Sequence, residues 1–142
     1  MGVYSGIAQD NVTINSGKAV LQTLTVTGTL TASGGVTGSV RLPVAAVAAV
    51  GSTQANAAAL SEGLNVVSAA DGTKGVRLPT AVAGTVVIVK STAAAALKIY
   101  PATGAAINAV TANDAYSIAS LTSTMLVASS TTQWYSVPLV AS

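Results

Sequence analysis

The stretch Thr85-Val-Val-Ile-Val-Lys90 carries four consecutive aliphatic residues between two polar ones. An unbroken run of β-branched residues is typical of a strand with apolar surroundings on both faces, whereas a half-exposed strand alternates apolar and polar residues. The sequence therefore predicts a β-strand at residues 85–90 that is buried on both faces.

Similar short apolar segments lie on both sides of this run, separated by turn signals such as Asp71-Gly-Thr-Lys-Gly75. Short strands at regular spacing are typical of β-sandwiches and jelly rolls. Alternating β and α units would need helical segments of about ten residues or more between the strands, and we find none in the sequence. We therefore predict an all-β fold, with a β-sandwich or jelly-roll domain over residues 39–142. The other predicted strands are 65–68, 75–78, 97–100, 116–121, 125–128 and 133–137.

The alanine-rich segment 44–60 is the one place where a helix competes with strands. Alanine is the best helix former, and Val44, Val47 and Val50 lie at a spacing compatible with one helical face. Gly51 interrupts the pattern, and no charged residue is present to solvate an exposed helical side. We expect one short helix or turn here, followed by a strand at about residues 54–60.

The N-terminal third has a different pattern. Between Val20 and Ala32, threonine stands at every odd position from Thr23 to Thr31, and most even positions are aliphatic. Alternation with a period of two predicts a half-buried strand, and Gly28 predicts a bulge or corner within it. The run Gly34-Gly-Val-Thr-Gly-Ser39 resembles a linker. We therefore predict that residues 1–38 form an extended β arm or stem.

The composition favours a protein that works within an assembly. Hydrophobic residues make up 51% of the chain and charged residues only 7%, with a net charge of +2. The apolar share is mostly 28 Ala and 20 Val, and 33 Ser and Thr residues supply most of the polar surface. Because charge repulsion contributes little to the solubility of such a surface, we expect a homo-oligomer.

The usual groups of enzyme chemistry are scarce. The chain has no His and no Cys, which excludes the Ser-His-Asp triad, thiol nucleophiles and the commonest metal ligands. The four carboxylates, Asp10, Glu62, Asp71 and Asp114, are far apart in sequence. Asp71 fits an Asp-Gly turn better than a phosphate or calcium loop, because the pattern of neither motif is present. We predict no enzymatic activity, no cofactor and no metal site.

Two further classes of partner are not expected. The six Lys and Arg residues are scattered, whereas nucleic-acid surfaces need clustered cations and single-strand binders add aromatic platforms. The longest apolar run, 42–50, has nine residues, whereas a membrane-spanning helix needs about 20. The N-terminus lacks the basic and apolar regions of a signal peptide. We expect neither nucleic-acid nor membrane binding.

Two short motifs provide candidate interface residues. The tetrapeptide Val40-Arg-Leu-Pro43 returns as Val76-Arg-Leu-Pro79. Its Val and Leu fit inward positions of a strand that Pro ends, with Arg41 and Arg77 pointing outward; a recognition role for the two arginines is the alternative. Trp134 and Tyr135 are adjacent, so a strand points them to opposite faces. We expect Trp134 in the core, and an exposed aromatic partner as an anchor for a contact with another protein subunit.

Several segments, in this order, resemble a module of virion proteins of tailed bacteriophages. In that module a strand ending in hydrophobic-Arg-Leu-Pro precedes a valine-rich strand, a Lys-hydrophobic-Tyr-Pro corner and a terminal Gln-Trp strand. The resemblance covers residues 54–137 and implies a β-sandwich or jelly-roll domain on a phage head or in a fibre, typically trimeric, with no catalytic residues. The matching segments are Gly75-Val-Arg-Leu-Pro79, Ala83-Gly-Thr-Val-Val-Ile-Val89, Leu97-Lys-Ile-Tyr-Pro-Ala-Thr-Gly104, Ala106-Ile-Asn108 and Ser130-Thr-Thr-Gln-Trp-Tyr135.

The resemblance leads us to expect a capsid decoration, or cement, protein on the outer surface of a phage head. It would be made in the host bacterial cytoplasm and bind the major capsid protein, with the arm suited to donating strands. A head or tail fibre subunit with a receptor-facing knob is the alternative, and a carbohydrate-binding module is a third possibility. The candidate interface residues are Val20, Leu24, Val26, Leu30, Arg41, Arg77, Trp134 and Tyr135.

Overall fold

The computed structural model describes residues 27, 31, 33–35 and 37–139, and the regular secondary structure of this part of the chain is entirely β. The predicted all-β class is therefore confirmed. The predicted arm, residues 1–38, lies outside the described residues apart from isolated positions. The strands are β1 Val44–Ala48, β2 Ala58–Ala59, β3 Gly63–Ser68, β4 Gly75–Arg77, β5 Val86–Ser91, β6 Leu97–Tyr100, β7 Ala106–Ile107, β8 Tyr116–Ile118, β9 Ser123–Ala128 and β10 Gln133–Leu139.

The first six strands alternate between two sheets. Strands β1, β3 and β5 pair in parallel in sheet A, and β2, β4 and β6 pair in parallel in sheet B. Each pair of consecutive strands therefore forms one coil that stacks on the coil before it. This β-solenoid-like stacking corrects the predicted β-sandwich or jelly roll, because jelly rolls are built from antiparallel strands.

The path of the chain explains why the sequence did not reveal parallel pairing. Parallel neighbours need a crossover connection, which is usually a helix. Here the strand of the opposite sheet serves as the crossover: the connection from β3 to β5 runs through β4. Strands that pair in parallel are thus separated by another short strand, and the sequence shows the even spacing of short strands that is also typical of a sandwich.

The C-terminal end of the stack is closed by antiparallel pairing. Strand β9 pairs antiparallel with β5, β10 with β9 and β8 with β6, while β7 adds to β10 in parallel. A polar network joins the two sheets at this end. The side-chain amide of Asn108 donates to Ser136 Oγ at 2.8 Å, and Ser136 Oγ donates to Tyr116 Oη at 3.2 Å. Sheet A therefore has six strands and sheet B four.

The core lies between the two sheets and consists mainly of aliphatic side chains. The fully buried members include Val87, Leu97 and Leu126, and Trp134 is the largest. Asn65 is a buried polar residue whose side-chain amide donates to the carbonyl oxygen of Ser61 at 2.8 Å. This bond fixes the turn that leads from β2 into β3, because a buried amide is stable only when it is hydrogen-bonded.

The predicted Asp-Gly turn at residues 71–75 is present between β3 and β4. The Asp71 carboxylate accepts hydrogen bonds from the backbone N–H groups of Thr73 and Lys74, both at 2.9 Å. The hydroxyl of Thr73 donates to the same oxygen at 2.7 Å, and Lys74 Nζ lies 3.3 Å from the other carboxylate oxygen. Gly72 has a φ of +88°, a conformation that glycine adopts without strain.

Of the short helix or turn expected within residues 44–60, the structure has the turn: the Ala57 N–H donates to the carbonyl oxygen of Thr53 at 3.0 Å. No helix forms in this described segment. Residues 44–48 form β1 and pair with β3, with Val44 opposite Leu64. The strand expected at about 54–60 is reduced to the two residues of β2. Pairing with β3 and packing against the core stabilise the strand by more than the helix propensity of alanine would stabilise a helix. Intrinsic propensities are small, and tertiary contacts routinely override them.

The two Val-Arg-Leu-Pro copies lie two coils apart in sequence. Ala58 pairs with Val76, eighteen residues later, and Val40 precedes Ala58 by the same distance in sequence. Only the second copy enters a strand: Val76 and Leu78 are 0% and 2% exposed, whereas Val40 and Leu42 are 73% and 51% exposed. The predicted arrangement, with Val and Leu inward, therefore holds for the second copy and is wrong for the first.

Candidate functional site

The side of sheet A that points away from sheet B is mostly apolar, and we call it the outer face of sheet A. Strand alternation identifies its residues. In β5, Val87 and Val89 point inward and are fully buried, while the alternate residues Val86, Ile88 and Lys90 are half-buried. Strands β1, β3, β5, β9 and β10 place sixteen residues on this face, and twelve of them are apolar. The sixteen are Val44, Ala46, Ala48, Leu64, Val66, Ser68, Val86, Ile88, Lys90, Ser123, Met125, Val127, Gln133, Tyr135, Val137 and Leu139.

A row of aliphatic side chains crosses this face from β1 to β10. The strand registers place its members opposite one another in the order Val44, Leu64, Ile88, Met125 and Val137. The two ends of the row are well exposed, at 68% for Val44 and 43% for Val137, whereas the three central side chains are half-buried. Because opposed side chains on one face lie about 5 Å apart, the row is a continuous apolar stripe.

Charge is nearly absent from the outer face of sheet A. Its one ionisable cation, Lys90, extends to the loop before β9, where Nζ donates to the carbonyl oxygen of Leu121 at 2.6 Å. The ammonium group therefore lies towards the rim and leaves the aliphatic row uninterrupted. The other three polar members are Ser68, Ser123 and Gln133.

The outer face of sheet B has the opposite character. It carries Arg77, Lys98 and Ser117, and its aromatic member, Tyr100, is only 7% exposed. Segment 51–56 covers this ring: Tyr100 Oη donates to the carbonyl oxygen of Ser52 at 2.6 Å. The chain thus covers the apolar part of sheet B with its own loop.

Hydrogen bonds hold segment 51–56 in this position. Gln54 Nε2 donates to the carbonyl oxygen of Pro101 at 2.9 Å, and Arg77 Nη1 donates to the carbonyl oxygen of Gln54 at 3.2 Å. The half-buried Arg77 is therefore part of the loop contact, while Arg41 is exposed. The two arginines therefore lie in different surroundings.

The remaining predicted interface residues divide into two groups. Val20, Leu24, Val26 and Leu30 lie outside the described residues, so their role stays a prediction. The other two have the opposite orientations that strand alternation predicts: Trp134 is 0% exposed and Tyr135 is 54% exposed. Trp134 is consequently a core residue, and only Tyr135 of this pair lies on a surface, at one side of the outer face of sheet A.

The described residues include few groups with reactive chemistry. No three of their His, Cys, Asp and Glu side chains form a group that could hold a metal ion. Hydrogen bonds from the Lys74 N–H and from the hydroxyl and N–H of Thr73 hold the pKa of Asp71 well below its usual range. Both oxygens of this carboxylate have their partners within the turn. In the same part of the chain, no helix has the length and apolarity of a membrane span.

Two open grooves lie on the domain, each with a volume of about 460 Å³. One runs between β8 and the end of β10, with Tyr116 and Pro138 in its lining. The other lies beside Arg77 and has the hydroxyls of Thr80, Thr103 and Thr131 in its lining. Neither lining contains a carboxylate, and most of the polar atoms are hydroxyls.

Comparison with protein-family models, curated proteins and solved structures finds no match to this chain. The central members of the outer face of sheet A, among them Leu64, Ile88 and Met125, were not on the list of interface residues obtained from the sequence. The signal that could have identified them is the run at residues 85–90, which predicts apolar surroundings on both faces. The described part of the chain fully buries only one face of that strand.

Proposed function

We propose that this chain is a structural protein of a bacteriophage particle. It is a capsid decoration protein that forms homotrimers on the outer surface of the head and stabilises the shell. Its partner is the major capsid protein, and it acts without catalysis or a cofactor. It is made in the host bacterial cytoplasm before it joins the virion, and binding to nucleic acid or membrane has no part in this role.

The observation that carries the proposal is the apolar outer face of sheet A. Soluble monomers rarely expose large contiguous apolar surfaces, and such surfaces usually mark interaction sites. A subunit that functions within an assembly can have such a face, because contact with the neighbouring proteins removes it from water. The bacteriophage assignment itself rests on the sequence resemblance over residues 54–137.

A fibre subunit of the head or tail is the second candidate, and the stacking of coils favours it. A solenoid extends by adding coils along one axis, with each coil contacting only its neighbours. This arrangement suits an elongated fibre as well as a compact decoration protein. The two candidates differ in where the chain lies on the particle and in how many copies the particle carries.

Gold-labelled antibodies against the purified chain, applied to particles of the phage that encodes it, separate the candidates. A decoration protein gives even labelling over the whole head, whereas a fibre subunit gives labelling confined to sparse projections. Heads from which the chain has been removed should also release their DNA at a lower temperature, and added chain should restore the original temperature. Unlabelled particles would contradict both candidates.

A further inference from the structure

We propose that the outer face of sheet A is the surface through which copies of this chain bind one another. The inference names the partner at the site described above and rests on the proposed role as an assembly subunit. Three properties of the face support it: the sequence of its strands, its charge and its size.

The first support is the sequence of the strands themselves. In β5, Val86 and Ile88 point to the outer face and Val87 and Val89 point to the core. Strands with aliphatic residues at successive positions belong to sheets that are covered on both sides. Sheet B covers the inner side only, so the outer side of β5 has the composition of a buried strand face but has no cover among the described residues.

The second support is the charge of the face, which favours another copy as the occupant. Self-association brings each side chain near the same set of side chains, so a face with many like charges would repel itself. The outer face of sheet A has one cation, Lys90, whose ammonium group is bound to the Leu121 carbonyl. Two copies of this face can therefore approach each other with little electrostatic cost.

The third support is the size of the face. Five strands about 4.8 Å apart and about 20 Å long give a projected area of roughly 400 Å². This area is comparable to the largest apolar patch on a typical monomer, roughly 300–600 Å², and such patches are often functional. It can supply the apolar centre of a standard interface, which covers roughly 800 Å² on each partner.

The occupant must match an aliphatic, corrugated surface, because sheet faces pack by interdigitation of side chains about 10 Å apart. The other large exposed hydrophobic residues among those described lie elsewhere on the chain and form no comparable row; they are Val40, Leu42, Val50, Val82 and Leu121. The same face of other copies is the surface described here with the required composition, and in the proposed trimer the three faces would meet around the three-fold axis. We therefore assign the outer face of sheet A to contact between copies.

Sedimentation equilibrium of the full chain at micromolar concentration tests the interface. We expect a mass of at least twice the 13.8 kDa of a single chain. Met125→Glu places a carboxylate in the middle of the aliphatic row and should weaken association at least tenfold, because an ion without a partner is costly to bury. Val137→Glu should also weaken association. Because Val137 is 43% exposed, this variant tests the interface even if Met125→Glu does not fold.

The matched control is Ser117→Glu on the outer face of sheet B. Ser117 is exposed and lies opposite Lys98, so the added carboxylate gains a favourable neighbour. This variant should keep the mass of the unmodified chain. A monomeric parent chain would overturn the proposal, and so would loss of association in the Ser117 variant alone.

Single cysteines give an independent test because the natural chain has none. Cysteine is placed at Leu64, Ile88 or Met125, one position at a time, and the protein is oxidised. At least one of these variants should form a covalent dimer, since disulfides need Cα atoms within about 7 Å, and Ser117→Cys should not. Crosslinking of Ser117→Cys alone would contradict the interface. If the chains associate but antibodies against them do not label phage particles, the proposed function is refuted and the inferred interface still holds.

Discussion

The outer faces of the two sheets differ in how the chain covers them. Sheet B presents Arg77 and Lys98, and segment 51–56 covers the ring of Tyr100. Sheet A presents an aliphatic row and has no such loop among the described residues. One sheet therefore has a surface that is completed within the fold, while the other has an apolar surface that none of the described residues covers. The difference indicates which side of the domain contacts solvent and which side contacts a partner.

The largest expected effect separates the inner and outer sides of sheet A. On β9, Leu126 is 0% exposed and points to the core, while its neighbour Met125 points outward. Leu126→Ala should lower the free energy of unfolding by about 2–5 kcal/mol, because it removes buried methylenes and leaves a cavity. Met125→Ala should cost less, about 1–2 kcal/mol, in a chain kept monomeric by Val137→Glu, because its side chain is only partly buried.

Urea denaturation followed by circular dichroism measures both changes. The Val137→Glu chain without a second substitution provides the reference for each variant. Equal losses for Leu126→Ala and Met125→Ala would show that the outer face is already covered within one chain. That result would remove the difference between the two sheets.

A smaller effect is expected at the start of β4, where Gly75 leaves no room for a side chain. A Cβ atom there would lie 2.7 Å from Cε2 of Tyr100 and 2.9 Å from the carbonyl oxygen of Lys98. Gly75→Ala should lower the unfolding free energy by about 1–3 kcal/mol, the usual cost of overpacking. Gly34→Ala is the control, because nothing lies within 4 Å of the added methyl group. A stable Gly75→Ala variant would mean that the ring of Tyr100 is free to move.

The cover of sheet B is tested by Tyr100→Phe, which removes the hydrogen bond to the carbonyl oxygen of Ser52. The expected loss of stability is about 1 kcal/mol, with faster amide hydrogen exchange within segment 51–56. Tyr135→Phe is the matched control, because that side chain is 54% exposed and makes no such bond. If exchange in segment 51–56 stayed unchanged, the loop would be held in place by other contacts, such as those of Gln54.

The sequence predicted the strands more reliably than their pairing. Strand β5 and the Asp71 turn follow from local patterns that the fold preserves, and the burial of Trp134 follows from alternation. The parallel stacking of coils was missed, because pairing depends on contacts between segments about twenty residues apart. The recurrence of Val-Arg-Leu-Pro was the available signal, but two copies do not by themselves establish a repeat architecture.

The first copy of this tetrapeptide shows why local sequence does not determine burial. Leu42 and Leu78 have the same neighbours in sequence, yet only Leu78 is in the core. The second copy lies between β2 and β6, whereas the first precedes β1 and has no strand on its other side among the described residues. The members of the outer face of sheet A were missed for a related reason, because strand register, and not spacing in sequence, brings Leu64, Ile88 and Met125 into one row.

The smallest expected effect concerns the turn that leads into sheet B. Because hydrogen bonds from Lys74 and Thr73 lower the pKa of Asp71 from its ordinary value of 3.8, the folded chain holds this carboxylate ionised more firmly than the unfolded chain does. The resulting stabilisation is present above pH 3.8 and is lost as the pH falls towards the lower, folded-state pKa. A carboxyl ¹³C titration should therefore show Asp71 still ionised at about pH 3, below the ordinary aspartate range. Thr73→Ala removes one donor and should move the midpoint upward; an unchanged midpoint would mean that the backbone N–H groups alone fix the charge, and the turn would then form without its side-chain hydroxyl.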